Sequence, residues 1–142
     1  MSRAEGGPAP DDLAARQAAL VAALVAGGPD PAGVDRVRLA ATRRALLRKR
    51  AGEAAKAWPV LSASLGPRWP DAFAQQHAGH ASAGPLRDGW DVARALRAGL
   101  GPEAARELAM REALLRYDGR SEPRRRRLVR ARRTLTRLRG AR

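Results

Sequence analysis

Arginine is the residue most able to do chemistry in this chain. Residues 120–142 hold eleven arginines and no lysine against a single acid, Glu122, so about one sixth of the polypeptide has a local charge near +10. The guanidinium fork stays protonated at any working pH and matches phosphate or carboxylate oxygens two at a time. Arg124, Arg125, Arg126, Arg127, Arg130, Arg132 and Arg133 are therefore the anion-binding candidates, and nucleic acid, an acidic membrane or an acidic protein surface would all suit them. The other 119 residues balance 17 Arg and Lys against 13 Asp and Glu, which confines most of the basicity to the end.

Other reactive types lack the spacing that chemistry needs. His77 and His80 are the two histidines, separated by three, but Gly79 between them reads as a helix end and no third ligand lies near, so both are expected as solvated loop residues. The pairs Asp11–Asp12 and Asp88–Asp91 stand at predicted helix starts, where carboxylates stabilise exposed N–H groups. Ser62, Ser64, Ser82 and Ser121 lack a nucleophile elbow, and neither a phosphate-cradling Gly-x-x-x-x-Gly-Lys loop nor a dinucleotide fingerprint occurs. Cysteine is absent, which removes disulfides and thiolate chemistry and is compatible with a reducing cytoplasm. No catalytic residue, cofactor or metal is expected.

These residues must be positioned by helices, because no alternating strand pattern appears. Leu13, Leu20, Val21, Leu24 and Val25 define a first helix after Asp11 and Asp12, stopped by Gly27, Gly28 and Pro29. Asp35 can cap a long helix over Arg36–Ala57. Its Leu39, Leu46, Leu47, Ala51 and Ala54 point to a core, leaving Arg43, Arg44, Arg48, Lys49 and Arg50 on the opposite side as either a solvated face or a binding patch. Pro59 opens a short helix to Leu65, a further helix runs Pro70–Ala78, residues 79–89 read as a loop, and helices follow over Trp90–Ala98 and Glu103–Tyr117. Leu128, Ala131, Leu135 and Leu138 would form a stripe on a helix from Pro123 to about Leu138, marginal unless something accepts the leucines.

The expected fold is thus all-α: a compact multi-helix bundle of about five to six helices over residues 11–119, a flexible start over 1–10, and a basic, helical or disordered extension over 120–142. Hydrophobic residues reach 44% but aromatics only 4%, so Trp58, Trp69, Phe73 and Trp90 must supply the bulk of an alanine-rich core. Trp69 or Trp90, beside the glycine-rich loop, is the aromatic expected to reach a partner, together with Arg43, Arg44 and Arg48. The longest apolar stretch, Ala18–Ala26, is about half a membrane span, and a cytoplasmic, soluble protein is expected.

The order Arg38-Leu39, Leu46-Leu47-Arg48, Ala57-Trp58-Pro59-Val60, Leu65-Gly66 and Trp69 to Phe73, with Leu13 to Gln17 before it and Gly89-Trp90 after it, resembles the N-terminal helical domain of a bacterial family named for DNA binding. The resemblance covers about residues 13–98. A tyrosine that the family carries shortly after Arg-Leu is replaced here around Ala41 and Thr42. Within that group the chain is similar to actinobacterial proteins and C-terminal domains attached to or beside multinuclear non-haem iron oxidative enzymes that modify ribosomally made peptides. The resemblance implies an accessory partner that binds such an enzyme and helps present its precursor peptide, the metal and the oxidation belonging to the enzyme. The rival expectation is a nucleic-acid-binding protein whose arginines neutralise phosphates.

Overall fold

The computed structural model describes residues 10–127, and the expectations for residues 1–9 and for the extension beyond Arg127, including Arg130, Arg132, Arg133 and the leucine stripe, lie outside them. Among the described residues six α-helices form the domain: α1 (Pro10–Val25), α2 (Arg36–Ala57), α3 (Pro59–Leu65), α4 (Trp69–His77), α5 (Pro85–Ala95) and α6 (Pro102–Leu114). Proline opens α3, α5 and α6 and stands second in α4, positions where its missing N–H has no helical partner to lose. The long α2 starts instead on Asp35, whose carboxylate accepts the Val37 N–H at 2.9 Å and the Arg38 N–H at 3.3 Å.

The all-α expectation holds, with α2 as the central element, packed on α1, α3, α4 and α5, and with α6 closing against α3 and α5. Trp58, at the end of α2, sits at the middle of the core. It is fully buried, its Nε1 donates to the Leu86 carbonyl at 2.9 Å, and it meets Trp90 edge-on with ring centroids 5.7 Å apart. The Arg111 guanidinium lies 4.3 Å from the Trp58 ring centroid, a cation held over an aromatic face. Trp69, Phe73 and His77 form a second aromatic row along α4, one residue per turn.

Several boundaries differ from the sequence reading, most at α5, which also ends at Ala95 rather than Ala98, and at α6. α5 begins at Pro85, inside the stretch read as a loop, so Gly89 and Trp90 are mid-helix residues. α6 ends at Leu114 rather than Tyr117, because Leu115–Arg116 (β1) pairs antiparallel with Arg124–Arg125 (β2) in a two-stranded ribbon where no strand was expected. Here Arg124 and Arg125 are therefore extended and not the start of a helix. The turn between the strands is set by Asp118, whose carboxylate accepts the Ser121 and Arg120 N–H groups at 2.7 and 2.8 Å. Those two bonds pull its pKa down from 3.8 to about 2.

Candidate functional site

Between the end of α1, the middle of α2 and the α4–α5 connection lies an open cleft of about 470 Å³. Its apolar walls are Ala23, Leu24 and Val25 from α1 and Leu46 and Leu47 from α2, with Lys49 on the rim. One end is closed by two glycines in close approach. Gly27, at φ +69°, has no room for a side chain, since a Cβ there would stand 2.5 Å from the Gly79 carbonyl oxygen.

Two arginines expected on the solvent side of α2 turn inward, line this cleft and tie its flanking segments to α2. Arg43 Nε donates to the Ala23 carbonyl at 2.8 Å, and its terminal nitrogen pairs with Asp30 at 2.8 Å, tying α1 to α2. Arg50 donates to the His80 carbonyl at 2.8 Å and to Asp88 at 3.1 Å, tying the α4–α5 connection to α2. The cause is the central place of α2. A helix covered by α1 on one side and by α4 and α5 on another presents a wider contact arc than one amphipathic stripe, and positions 43, 46, 47 and 50 share that arc.

Asp88, expected at a helix start as a capping carboxylate, does lie in the first turn of α5, but as a buried hub. Its side chain is 3% exposed; besides Arg50 it accepts the Ser82 hydroxyl at 2.8 Å and the Ala83 N–H at 3.0 Å, so one carboxylate fixes the whole connection. Its neighbour Asp91 accepts the Tyr117 hydroxyl at 3.2 Å and caps nothing, and burial raises its pKa above the usual carboxylate value. His77, expected in solvent, is also buried: its Nε2 lies 2.8 Å from the Asp88 carbonyl and its ring centroid 4.6 Å from that of Phe73. Because a carbonyl can only accept, Nε2 carries the proton. His80 remains exposed.

The other candidates divide cleanly. Trp69 and Trp90 are both buried, Trp69 donating its Nε1 to the Ala51 carbonyl at 2.9 Å, so neither offers a surface to a partner. An alanine-rich helix leaves gaps that only large rings fill. Arg44, Arg48 and Lys49 are exposed and make no ion pair among the described residues, as do Arg124, Arg125, Arg126 and Arg127. Among the described residues, no three His, Asp or Glu side chains come together as a metal would require, and no helix is long and apolar enough to cross a membrane.

Fold and site together define a small all-α domain with an apolar cleft between its first two helices and the α4–α5 connection, lined on one side by Lys49, which makes no ion pair among the described residues. The chain belongs to the family described as SCO6045-like, C-terminal domain, whose profile matches residues 14–98 and so contains every residue of the cleft. A protein of Streptomyces avermitilis, named only as a UPF0276 protein, is 43% identical over 118 residues, which is 82% of this chain and 24% of that protein. The chain thus spans about a quarter of the length of this relative. No solved structure matches. The match agrees with the C-terminal-domain side of the resemblance; neither description mentions DNA binding or peptide modification.

Proposed function

We propose that this domain is a non-catalytic accessory module that docks on a multinuclear non-haem iron oxidative enzyme and helps recruit its ribosomally made precursor peptide. The observation that carries the reading is the cleft: an apolar hollow of about 470 Å³ flanked by the Arg43–Asp30 and Arg50–Asp88 pairs and lined by Lys49, which has no acidic partner among the described residues. Leu24, Leu46 and Leu47 would receive one or two aliphatic side chains, while Lys49, with Arg44 and Arg48 on the adjoining face of α2, would attract carboxylates. Further support comes from the relatives. A family described as a C-terminal domain, and a similar stretch inside a much longer Streptomyces protein, suit a module that works beside a larger body. The iron enzyme and its peptide come from the family resemblance.

Mixing the purified chain with an iron enzyme encoded beside it, or with that enzyme's precursor peptide, tests the reading at low salt. Wild type is expected to bind, and Leu46→Asp or the exposed Lys49→Glu to weaken binding by about tenfold. Absence of binding to both enzyme and peptide would remove the proposal. Binding to duplex DNA alone, lost steeply as salt rises, would favour the nucleic-acid reading instead.

A further inference from the structure

A second surface lies where α3 meets α6, and all but one of its residues fall beyond the stretch matched by the family profile. Val60, Met110 and Leu114 are 39%, 61% and 66% exposed and line one shallow groove of about 440 Å³. Exposed aliphatic side chains gathered in one groove, rather than scattered singly, mark a contact surface. Past Leu114 and Arg111 the groove runs on into a hollow of about 400 Å³ walled by Leu115, Arg125 and Arg126.

The charges in this groove are unequal. Its two acids are already engaged: Glu107 accepts the Leu61 N–H at 2.7 Å and pairs with Arg111 at 3.7 Å, and Glu103 pairs with Arg106 at 3.1 Å. Arg111 is itself held over Trp58 and donates to the Ala57 carbonyl. Arg125 and Arg126 have no acidic partner among the described residues, and Arg124 and Arg127 flank them. One end of an aliphatic strip therefore carries uncompensated positive charge.

We infer that this groove docks an acidic amphipathic helix from a partner protein, its aliphatic side chains on Val60, Met110 and Leu114 and its carboxylates toward Arg125 and Arg126. Met110 and Leu114 stand one turn apart on α6, the spacing with which a second helix interleaves residues at i, i+4 and i+7. A second copy or the chain's own arginine-rich end is disfavoured, because a polypeptide of net charge +14 brings like charge to an arginine rim. Nucleic acid would satisfy the arginines but leave three aliphatic side chains in water. The inference stands apart from the cleft and from the iron-enzyme reading.

Met110 supplies the test, because Met1 is the only other methionine, so methyl-13C methionine labelling places one reporter inside the groove. The probe is a designed peptide about 18 residues long, with leucines at i, i+4 and i+7 and glutamates on the flanks. Its controls replace leucine by serine or glutamate by lysine, and a single-stranded oligonucleotide is the third. The acidic amphipathic peptide is expected to shift the Met110 methyl signal saturably, and Leu114→Asp or the double variant Arg125→Glu with Arg126→Glu to weaken it by about tenfold. Both variants change exposed side chains, and unchanged circular dichroism confirms that they fold. No shift of the methyl signal, or an equal response to the serine control or the oligonucleotide, would overturn the inference.

Discussion

Alanine in place of Gly89 is expected to destabilise the domain by about 3 kcal/mol or more, the upper end of what overpacking costs, and to lower the melting temperature by more than about 10 °C. Helix propensity alone argues the opposite, since glycine inside a helix costs about 1 kcal/mol relative to alanine. Packing decides the sign. A Cβ at residue 89 would stand 2.1 Å from Trp58 Cδ1 and 2.6 Å from its Nε1. Trp58 cannot yield, because its Nε1 is bonded to Leu86, its face is covered by Arg111 and its edge meets Trp90. Calorimetry of the two proteins measures the difference, and an alanine variant as stable as wild type would show that α5 does not sit against the indole as described.

Removal of the Asp88 carboxylate is the second large effect. Asp88→Ala leaves Arg50, whose side chain is 18% exposed, without its counter-charge, and breaking such a pair from one side costs about 3–5 kcal/mol. The Ser82 hydroxyl and the Ala83 N–H lose their acceptor in the same step. Adding Arg50→Met to Asp88→Ala is expected to recover part of the loss, since the uncompensated charge is then gone as well. Denaturant titration of the two single variants and the double variant checks this, and an Asp88→Ala protein within about 1 kcal/mol of wild type would contradict the hub role. Ser82, freed by this change, lines the cleft proposed as the docking site, so the same variant should also weaken binding there.

Much of the fold was legible because its signals are local. The bounds of α2 and α3 match the expectation residue for residue, since Asp35 caps one and Pro59 opens the other. Where the reading missed, a long-range contact outweighed a local one. Pro85 is a valid start signal for α5, but Gly89 reads as the end of a loop; Trp58, 31 positions earlier, occupies the space its missing side chain leaves. Leu115, Arg116 and Tyr117 continue a helical pattern, yet pairing of the first two with Arg125 and Arg124 makes them extended.

The candidate site was much less legible. Exposed Arg44 and Arg48 could be read from helix periodicity, whereas Arg43 and Arg50 sit on the same element and were claimed by Asp30 and Asp88. No spacing rule links Arg50 to Asp88 across 38 positions, and none foretells a cleft assembled from three separate segments. Trp69 and Trp90 show the limit from the other side. Their size suits a binding surface, but a core built on alanine needed both.

We propose the cleft beside α2 as the surface on which an iron enzyme or its peptide docks. Hydrogen–deuterium exchange of the chain at low salt, alone and mixed with an iron enzyme encoded beside it, is the deciding measurement. Slower exchange is expected in the second half of α1, across residues 43–53 of α2 and through residues 77–85, with α6 unchanged. Protection absent from those three segments in a complex that demonstrably forms would contradict it.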